Sequence, residues 1–406
     1  MRPFDALISS TAPAPVARFS GLPEFNFVGG HNDPDVVPVA DLAETAARVI
    51  AEQGHQLATY GLDSGPLGHY GLRHFVAEKL SDQRGIAGGP DDVLITSGSL
   101  QALDLVNALF LEPGDTVVVE QFTYGGMLTR LARQGVRVVG APLDHQGLDV
   151  DALATMLEAM ATDGVRPKYV YTIPTIQNPT ATVLPVERRR RLLALAARFG
   201  FLVFEDECYA DLLWEGDWPP ALRGMPGGAD VVHVGSFSKS LAPALRLGYV
   251  SAPWPVLSRL LALKTDGGTA AIEQMIVADY FARSFDAHVR GLKCTLAAKA
   301  NVLMDALAEQ FGTAAEFAQP AGGIFLWVKL PDVVDTKALE GPALAEGVAF
   351  NPGAEWSAEP AAARSHLRLC YALRDVGTLR DGIAKLAEVC HRETGVPERG
   401  ANLPRQ

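Results

Sequence analysis

Cysteine is scarce in this sequence of 406 residues, which contains only Cys208, Cys294, Cys370 and Cys390. None of them forms a CxxC pair, so neither a zinc ribbon nor a disulfide framework is indicated, and we expect reduced thiols in a cytoplasmic protein. Basic residues are also in the minority, because 35 Lys and Arg face 47 Asp and Glu to give a net charge of −12. This sign disfavours a nucleic-acid partner and an anionic membrane surface.

Long apolar runs are missing as well. No run approaches the roughly 20 residues of a transmembrane helix, so we expect no membrane partner. The first 21 residues lack the apolar core of a signal peptide. The nine histidines show neither an HExxH motif nor a zinc-like spacing, so we expect no metal.

Short apolar runs alternate with helical patterns between about residues 91 and 270. Six of these runs are predicted strands: 93–96, 116–120, 136–139, 169–173, 201–204 and 231–234. Continuous apolar strands that alternate with helices indicate an α/β fold with a mostly parallel sheet covered on both faces. Ligands of such sheets bind at the carboxyl ends of the strands.

The pattern changes after about residue 270. Two long helical patterns, two strand-like runs and a C-terminal helix follow, over 271–311, 323–330, 366–372 and 375–391. They indicate a smaller α+β domain. We therefore expect three parts: an N-terminal arm of residues 1–40 that packs with the small domain, a large domain of residues 41–285 and a small domain of residues 286–406.

Five polar segments stand where predicted strands end: 96–101, 121–124, 177–180, 204–209 and 235–239. The first could bind a phosphate at a helix N-terminus, although a simple serine cap is the better explanation of this segment taken alone. Tyr124 in the second could stack on a planar ring or pack in the core. In the fourth, Asp206 and Glu207 are hard oxygen donors, but adjacent residues of a strand point to opposite faces, which weakens a metal site.

Lys239 is the most informative of these residues. A lysine directly after an apolar strand is either solvated or a buried amine of lowered pKa that forms Schiff bases. The nearby Ser236, Ser238 and Arg246 suit a phosphate dianion. Ser236 and Lys239 also match the S-x-x-K motif of penicillin-binding enzymes, but no S-D-N occurs and Ser236 follows a strand instead of opening a helix.

Together, and in this order, the five segments resemble the fold-type I pyridoxal-phosphate enzymes of the class I/II aminotransferase family. The resemblance is greatest to the branch that contains 2-aminoadipate and kynurenine aminotransferases and the effector domains of MocR-type regulators. It extends from about Gly29 to the C-terminal helix. It implies a large domain with a mostly parallel seven-stranded sheet, a smaller α+β domain, pyridoxal 5′-phosphate as cofactor, and a homodimer with shared active sites.

The resemblance also implies roles for individual residues. Lys239 would hold the coenzyme as an internal aldimine and move protons, Asp206 would pair with the pyridine nitrogen, and Tyr209 would complete the catalytic set. The remaining coenzyme contacts would come from Ser99, Leu100, Tyr124, Asn178, Ser236, Ser238 and Arg246, with Tyr60 reaching across from a second subunit.

For the substrate, an L-amino acid or a 2-oxo acid, the resemblance implies Arg368 as the carboxylate clamp, helped by Gly30, Asn178 and Arg18. Departures from the family pattern include Leu100 in place of Gln, Ala181 in place of Gly, and Cys208 in place of Pro. The polar His31 and Asn32 stand where the family lines its substrate pocket, and we expect them to favour a substrate with a polar side chain.

Three other functions stay open from the sequence. The same coenzyme anchors serve β- and γ-lyases, decarboxylases and oxidases, because pyridoxal phosphate stabilises the carbanion whichever bond breaks. A ligand-sensing module like that of MocR regulators is a second alternative. An S-x-x-K hydrolase is the third, and it would not need the coenzyme.

Overall fold

The computed structural model describes residues 4, 6–9, 12–13, 15–16, 18–19 and 21–398. At its centre lies a seven-stranded sheet with buried strands. The strands are β1 (Val93–Thr96), β2 (Thr116–Glu120), β3 (Arg137–Ala141), β4 (Tyr169–Thr172), β5 (Leu202–Asp206), β6 (Val232–Ser236) and β7 (Gly248–Ser251). Their order is β1-β7-β6-β5-β4-β2-β3, and only β7 runs antiparallel to its neighbours. The predicted α/β fold is confirmed.

Ten α-helices accompany the strands in the described part of the chain. They are α1 (Val39–Gln53), α2 (Tyr70–Arg84), α3 (Ser99–Phe110), α4 (Gly125–Gln134), α5 (Val150–Thr162), α6 (Val186–Phe199), α7 (Trp254–Leu263), α8 (Ala271–Phe311), α9 (Thr336–Ala345) and α10 (Val376–Thr394). Separate apolar clusters cover the two faces of the large sheet. No helix of this part of the chain is long and apolar enough to cross a bilayer.

The 41 residues of α8 form one helix where the sequence suggested two. No proline interrupts residues 271–311. The only glycine of this range is Gly291, and a Cβ added there would meet no neighbouring atom within 4 Å. One exposed glycine costs a helix about 1 kcal/mol, which the packing of α8 on α1, α2 and α10 offsets. The predicted boundary between residues 285 and 286 falls inside this helix, and the division into domains stays a prediction.

A second, three-stranded antiparallel sheet lies in the C-terminal part of the chain. Its strands are β8 (Phe325–Lys329), β9 (Asn351–Pro352) and β10 (His366–Cys370), in the order β8-β10-β9. The short strand Phe25–Asn26 pairs in parallel with Val348–Ala349. Phe27 is buried in the apolar cluster that includes residues of this three-stranded sheet, so the segment just before Gly29 packs against the sheet. Part of the predicted arm of residues 1–40 lies outside the described residues.

Candidate active site

A cavity of about 310 Å³ opens at the carboxyl ends of β1, β5 and β6, facing the smaller sheet. This volume lies at the lower end of the range for small-molecule sites. Twelve of the residues that the sequence singled out line it: Gly30, Ser99, Leu100, Tyr124, Asn178, Asp206, Tyr209, Ser236, Ser238, Lys239, Arg246 and Arg368. All five polar segments that follow predicted strands thus contribute to one cavity.

Besides His31 and Asn32, which are described below, two predicted residues do not line this cavity. Tyr60 is 93% exposed and lies in a separate hollow beside Gly267. Arg18 is exposed on the N-terminal segment. A single chain therefore leaves both residues away from its own cavity, and their roles stay predictions.

The N-terminus of α3 forms one wall of the cavity. Gly98 precedes it with φ +78°, and a Cβ at this glycine would overlap the guanidinium of Arg246. Arg246 donates from Nη1 to the Pro243 carbonyl at 3.0 Å and from Nη2 to the Ser97 carbonyl at 3.4 Å. Free N–H groups at a helix start, next to an arginine, form a site for an anion such as a phosphate.

On the adjacent strand end, the carboxylate of Asp206 is buried. It accepts a hydrogen bond from the Tyr171 hydroxyl at 2.7 Å and another from the Cys208 N–H at 3.1 Å. Burial raises the pKa of Asp206, and these donors oppose that effect. The sequence offered no reason to single out Tyr171, since a tyrosine within an apolar strand is normally a core residue.

The amine of Lys239 is also buried in the cavity. Its Nζ donates to the Gly30 carbonyl at 2.7 Å, and a Cβ at Gly30 would overlap this Nζ. Burial lowers the pKa of Lys239 to about 8, and the charge of Arg368 contributes to the decrease. The amine therefore gives up its proton more readily than an ordinary lysine, as a nucleophile or a general base requires.

Asn178 lies on a loop that is tied to the neighbouring strand. Gln177 donates to the Glu120 carboxylate at 2.9 Å and to the Phe122 carbonyl at 2.7 Å, and it accepts from Thr180 N–H at 2.8 Å. Burial raises the pKa of Glu120 to about 7. The side-chain oxygen of Asn178 is buried without a partner in the described part of the chain. Sequence reasoning missed Glu120, which looked like the polar end of a strand.

Arg368 closes the opposite side of the cavity from β10. It is 2% exposed, and its guanidinium carbon lies 4.4 Å from the ring centres of both Phe325 and Trp356. Nη1 donates to the Gly29 carbonyl and to the Asn351 side-chain oxygen, each at 3.2 Å. The buried Nε has no partner among the described residues, so the arginine keeps donors for a ligand.

The expectation for Asn32 is wrong. Its amide donates to the carbonyls of Leu241 at 2.9 Å and Lys239 at 3.3 Å, and the residue is buried beside the cavity instead of lining it. Asn32 thus fixes the backbone that carries Lys239. His31 is half-buried; burial lowers its pKa, as do the charges of Lys239 and Arg374.

Comparisons with known proteins show the family of the chain. The family described as "Aminotransferase class I and II" matches residues 29–386. The chain belongs to this family of aminotransferases. A 2-aminoadipate transaminase of Thermus thermophilus is 34% identical over 369 residues, which cover 89% of this chain and 88% of the relative. An aromatic-amino-acid aminotransferase of Thermococcus litoralis is 32% identical and covers 91% and 88% of the two chains.

A solved structure agrees with this assignment. The α-aminoadipate aminotransferase LysN of Thermus thermophilus, complexed with N-(5′-phosphopyridoxyl)-L-leucine, superposes with a TM-score of 0.82 at 33% identity, covering 91% of this chain and 92% of that one. HTH-type transcriptional regulators of Bacillus subtilis are also among the relatives. The predicted branch, the aminotransferase activity and the coenzyme, pyridoxal 5′-phosphate, are all confirmed.

The residues present fit this coenzyme. The cradle at Gly98 leaves room for an anion only because no Cβ fills it, and Arg246 supplies a cation there. The unpartnered oxygen of Asn178 and the unpartnered Nε of Arg368 both belong to residues that line the cavity. A polar ligand in the cavity would give both atoms a partner.

Proposed function

We propose that the cavity residues of this aminotransferase divide into a coenzyme set and a substrate set. Ser99, Ser236, Ser238 and Arg246 hold the phosphate, together with the backbone of Leu100. Tyr124, Asn178, Asp206 and Tyr209 hold the ring. The observation that carries this assignment is the buried amine of Lys239, which shares one cavity with a buried carboxylate and two arginines.

Pyridoxal phosphate, when bound, supplies an aldehyde for the amino group and an electron-poor ring that stabilises negative charge at the substrate Cα. Asp206 holds a proton at the ring nitrogen, because a carboxylate stabilises the protonated nitrogen. Tyr209 is buried, with its ring edge-on to Phe325 at 5.1 Å, and burial raises the pKa of its hydroxyl, so it stays a proton donor.

The substrate set orients an amino acid against the lysine. Arg368 binds the α-carboxylate through its free donors, since a planar guanidinium matches a carboxylate in a bidentate manner. Gly30 lets the backbone approach Lys239 closely, so the Cα of a clamped substrate comes within reach of Nζ. Lys239 then takes the Cα proton and later releases it. Arg18 would contact the substrate side chain.

The experiment is a pair of half-reactions followed by absorption. Each L-amino acid, added alone to the purified holoenzyme, should convert the visible coenzyme band into that of pyridoxamine phosphate, and a 2-oxo acid should restore it. A donor that removes the band while releasing CO₂, ammonia or hydrogen peroxide, without forming pyridoxamine phosphate, would point to decarboxylation, elimination or oxidation at this site instead.

We further propose that the enzyme is a cytoplasmic homodimer that does not bind nucleic acid. The exposed aromatic ring of Tyr60 and the solvent-open cradle at Arg246 suit a contribution from a second subunit. The net charge of −12 repels phosphate backbones. Light scattering should give twice the mass of 43.3 kDa, and Tyr60→Phe should weaken coenzyme binding.

A further inference from the structure

Asp206 accepts hydrogen bonds from two neighbouring residues, Tyr171 and Cys208. The Tyr171 hydroxyl donates to Oδ2 and the Cys208 N–H donates to Oδ1, at 2.7 and 3.1 Å. The Cys208 thiol also helps to hold the pKa of Asp206 down against the effect of burial. Both carboxylate oxygens are therefore held, and the side chain has little freedom to rotate in a site where it is 5% exposed.

Tyr171 has the position and the chemistry to act on Asp206. It is fully buried on β4, which pairs with β5, and its ring packs edge-on against Phe204 with ring centres 5.4 Å apart. Asp206 is the only hydrogen-bond partner of its hydroxyl among the described residues. Burial raises the pKa of Tyr171 well above its usual value, so the hydroxyl keeps its proton and always donates.

These donors counteract the effect of burial on the pKa of Asp206. Burial favours the neutral acid, whereas pairing with a protonated ring nitrogen requires the carboxylate. Hydrogen bonds donated to the charged form favour that form and fix its direction. A proline at position 208 would provide neither a thiol nor an N–H, so the contacts to Asp206 depend on the cysteine.

We propose that Tyr171 and Cys208 are positioning residues, which hold Asp206 as a carboxylate aimed at the ring nitrogen of the coenzyme. This inference rests on the role of Asp206 in the proposed function. Neither residue needs to touch the substrate for this effect. Both residues therefore affect coenzyme binding only when the coenzyme has a ring nitrogen. A residue that merely packs in the core would affect the binding of any coenzyme.

The experiment compares the binding of two coenzymes to the apoenzyme by absorption titration: pyridoxal phosphate and 1-deazapyridoxal phosphate, in which C–H replaces the ring nitrogen. Tyr171→Phe should weaken binding of pyridoxal phosphate roughly ten- to hundredfold, the effect of one charge-assisted hydrogen bond. Binding of the deaza analogue should change by less than about twofold, because Asp206 has no ring N–H to meet.

The chain provides a matched control on the same strand. Tyr169 is equally buried, packs edge-on against the same Phe204 at 5.6 Å and donates to Asn107 at 2.8 Å. Tyr169→Phe therefore removes the same kind of hydrogen bond without affecting Asp206. It should leave the preference for pyridoxal phosphate over the analogue as it is in the wild type.

The outcomes separate the two claims. If the wild type itself binds both coenzymes equally, Asp206 does not serve the ring nitrogen and the proposed function loses that assignment. If the wild type prefers pyridoxal phosphate and Tyr171→Phe keeps the full preference, the positioning role is wrong. Should Tyr171→Phe not fold, Cys208→Ala gives the second test. It should lower the preference for pyridoxal phosphate over the deaza analogue by a smaller factor than expected for Tyr171→Phe. Cys208→Ser, with a hydroxyl donor, should restore that preference.

Discussion

Replacing Arg368 with lysine tests how the substrate carboxylate is recognised. The guanidinium lies between Phe325 and Trp356 and uses Nη1 on Gly29 and Asn351, so Nε and Nη2 remain for the ligand. Lysine keeps the positive charge but replaces this two-donor fork with a single ammonium.

The magnitude follows from the number of bonds lost. One charge-assisted hydrogen bond contributes about 1.5–3 kcal/mol, which is roughly a 10- to 150-fold loss of kcat/KM for Arg368→Lys. Arg368→Gln removes the charge as well. Truncating one partner of a buried charged pair costs about 2–5 kcal/mol, or up to several thousandfold in kcat/KM.

The assay follows the half-reaction by stopped-flow absorption, with an L-amino acid and with the amine that has the same side chain but no carboxylate. The loss should appear with the amino acid, and the amine should react at the same slow rate in wild type and variant. An equal loss with both compounds would show that Arg368 only supports the fold around the cavity. No loss with the amino acid would mean that its carboxylate binds elsewhere.

Three further predictions concern the cradle, a buried ion pair and acid stability. Gly98→Ala should weaken coenzyme binding at least about tenfold in a fluorescence titration, because its Cβ would displace Arg246; unchanged affinity would contradict the cradle. Lys79→Met leaves Asp211 buried without its partner at 2.6 Å and should cost about 3–5 kcal/mol in urea unfolding while kcat/KM stays constant. Burial lowers the pKa of His366 to about 4, so stability should fall as the pH drops from about 6.5 to 4, where only the unfolded state is protonated. Urea unfolding of His366→Gln across this range should show a smaller loss, and an identical pH profile would refute the assignment.

Much of the fold could be predicted because the strands are apolar on both faces. Runs such as 116–120 and 169–173 have this composition in a parallel sheet, and their carboxyl ends meet at one edge. β7 was not among the predicted strands, although the resemblance implied seven. It begins with Gly248, and its antiparallel pairing with β1 and β6 is a long-range property that the local sequence does not show.

Among the site residues, too, some could be predicted from the sequence and others could not. Lys239 and Asp206 could be singled out because charge next to an apolar strand needs a reason, whereas Arg368 came only from the family resemblance. Tyr171 could not, because its role depends on the register that places β4 beside β5. Asn32 was wrongly interpreted as a pocket residue, because the sequence does not show whether the amide of a polar loop residue contacts a ligand or a backbone carbonyl.

The most direct test of the central claim, that Lys239 carries the coenzyme, is borohydride reduction of the purified holoenzyme followed by peptide mass mapping. We expect a single phosphopyridoxyl group on Lys239, because its buried amine lines the cavity and has a lowered pKa. Prior addition of a reactive L-amino acid should abolish the label. A label on another lysine, or none at all, would contradict the account.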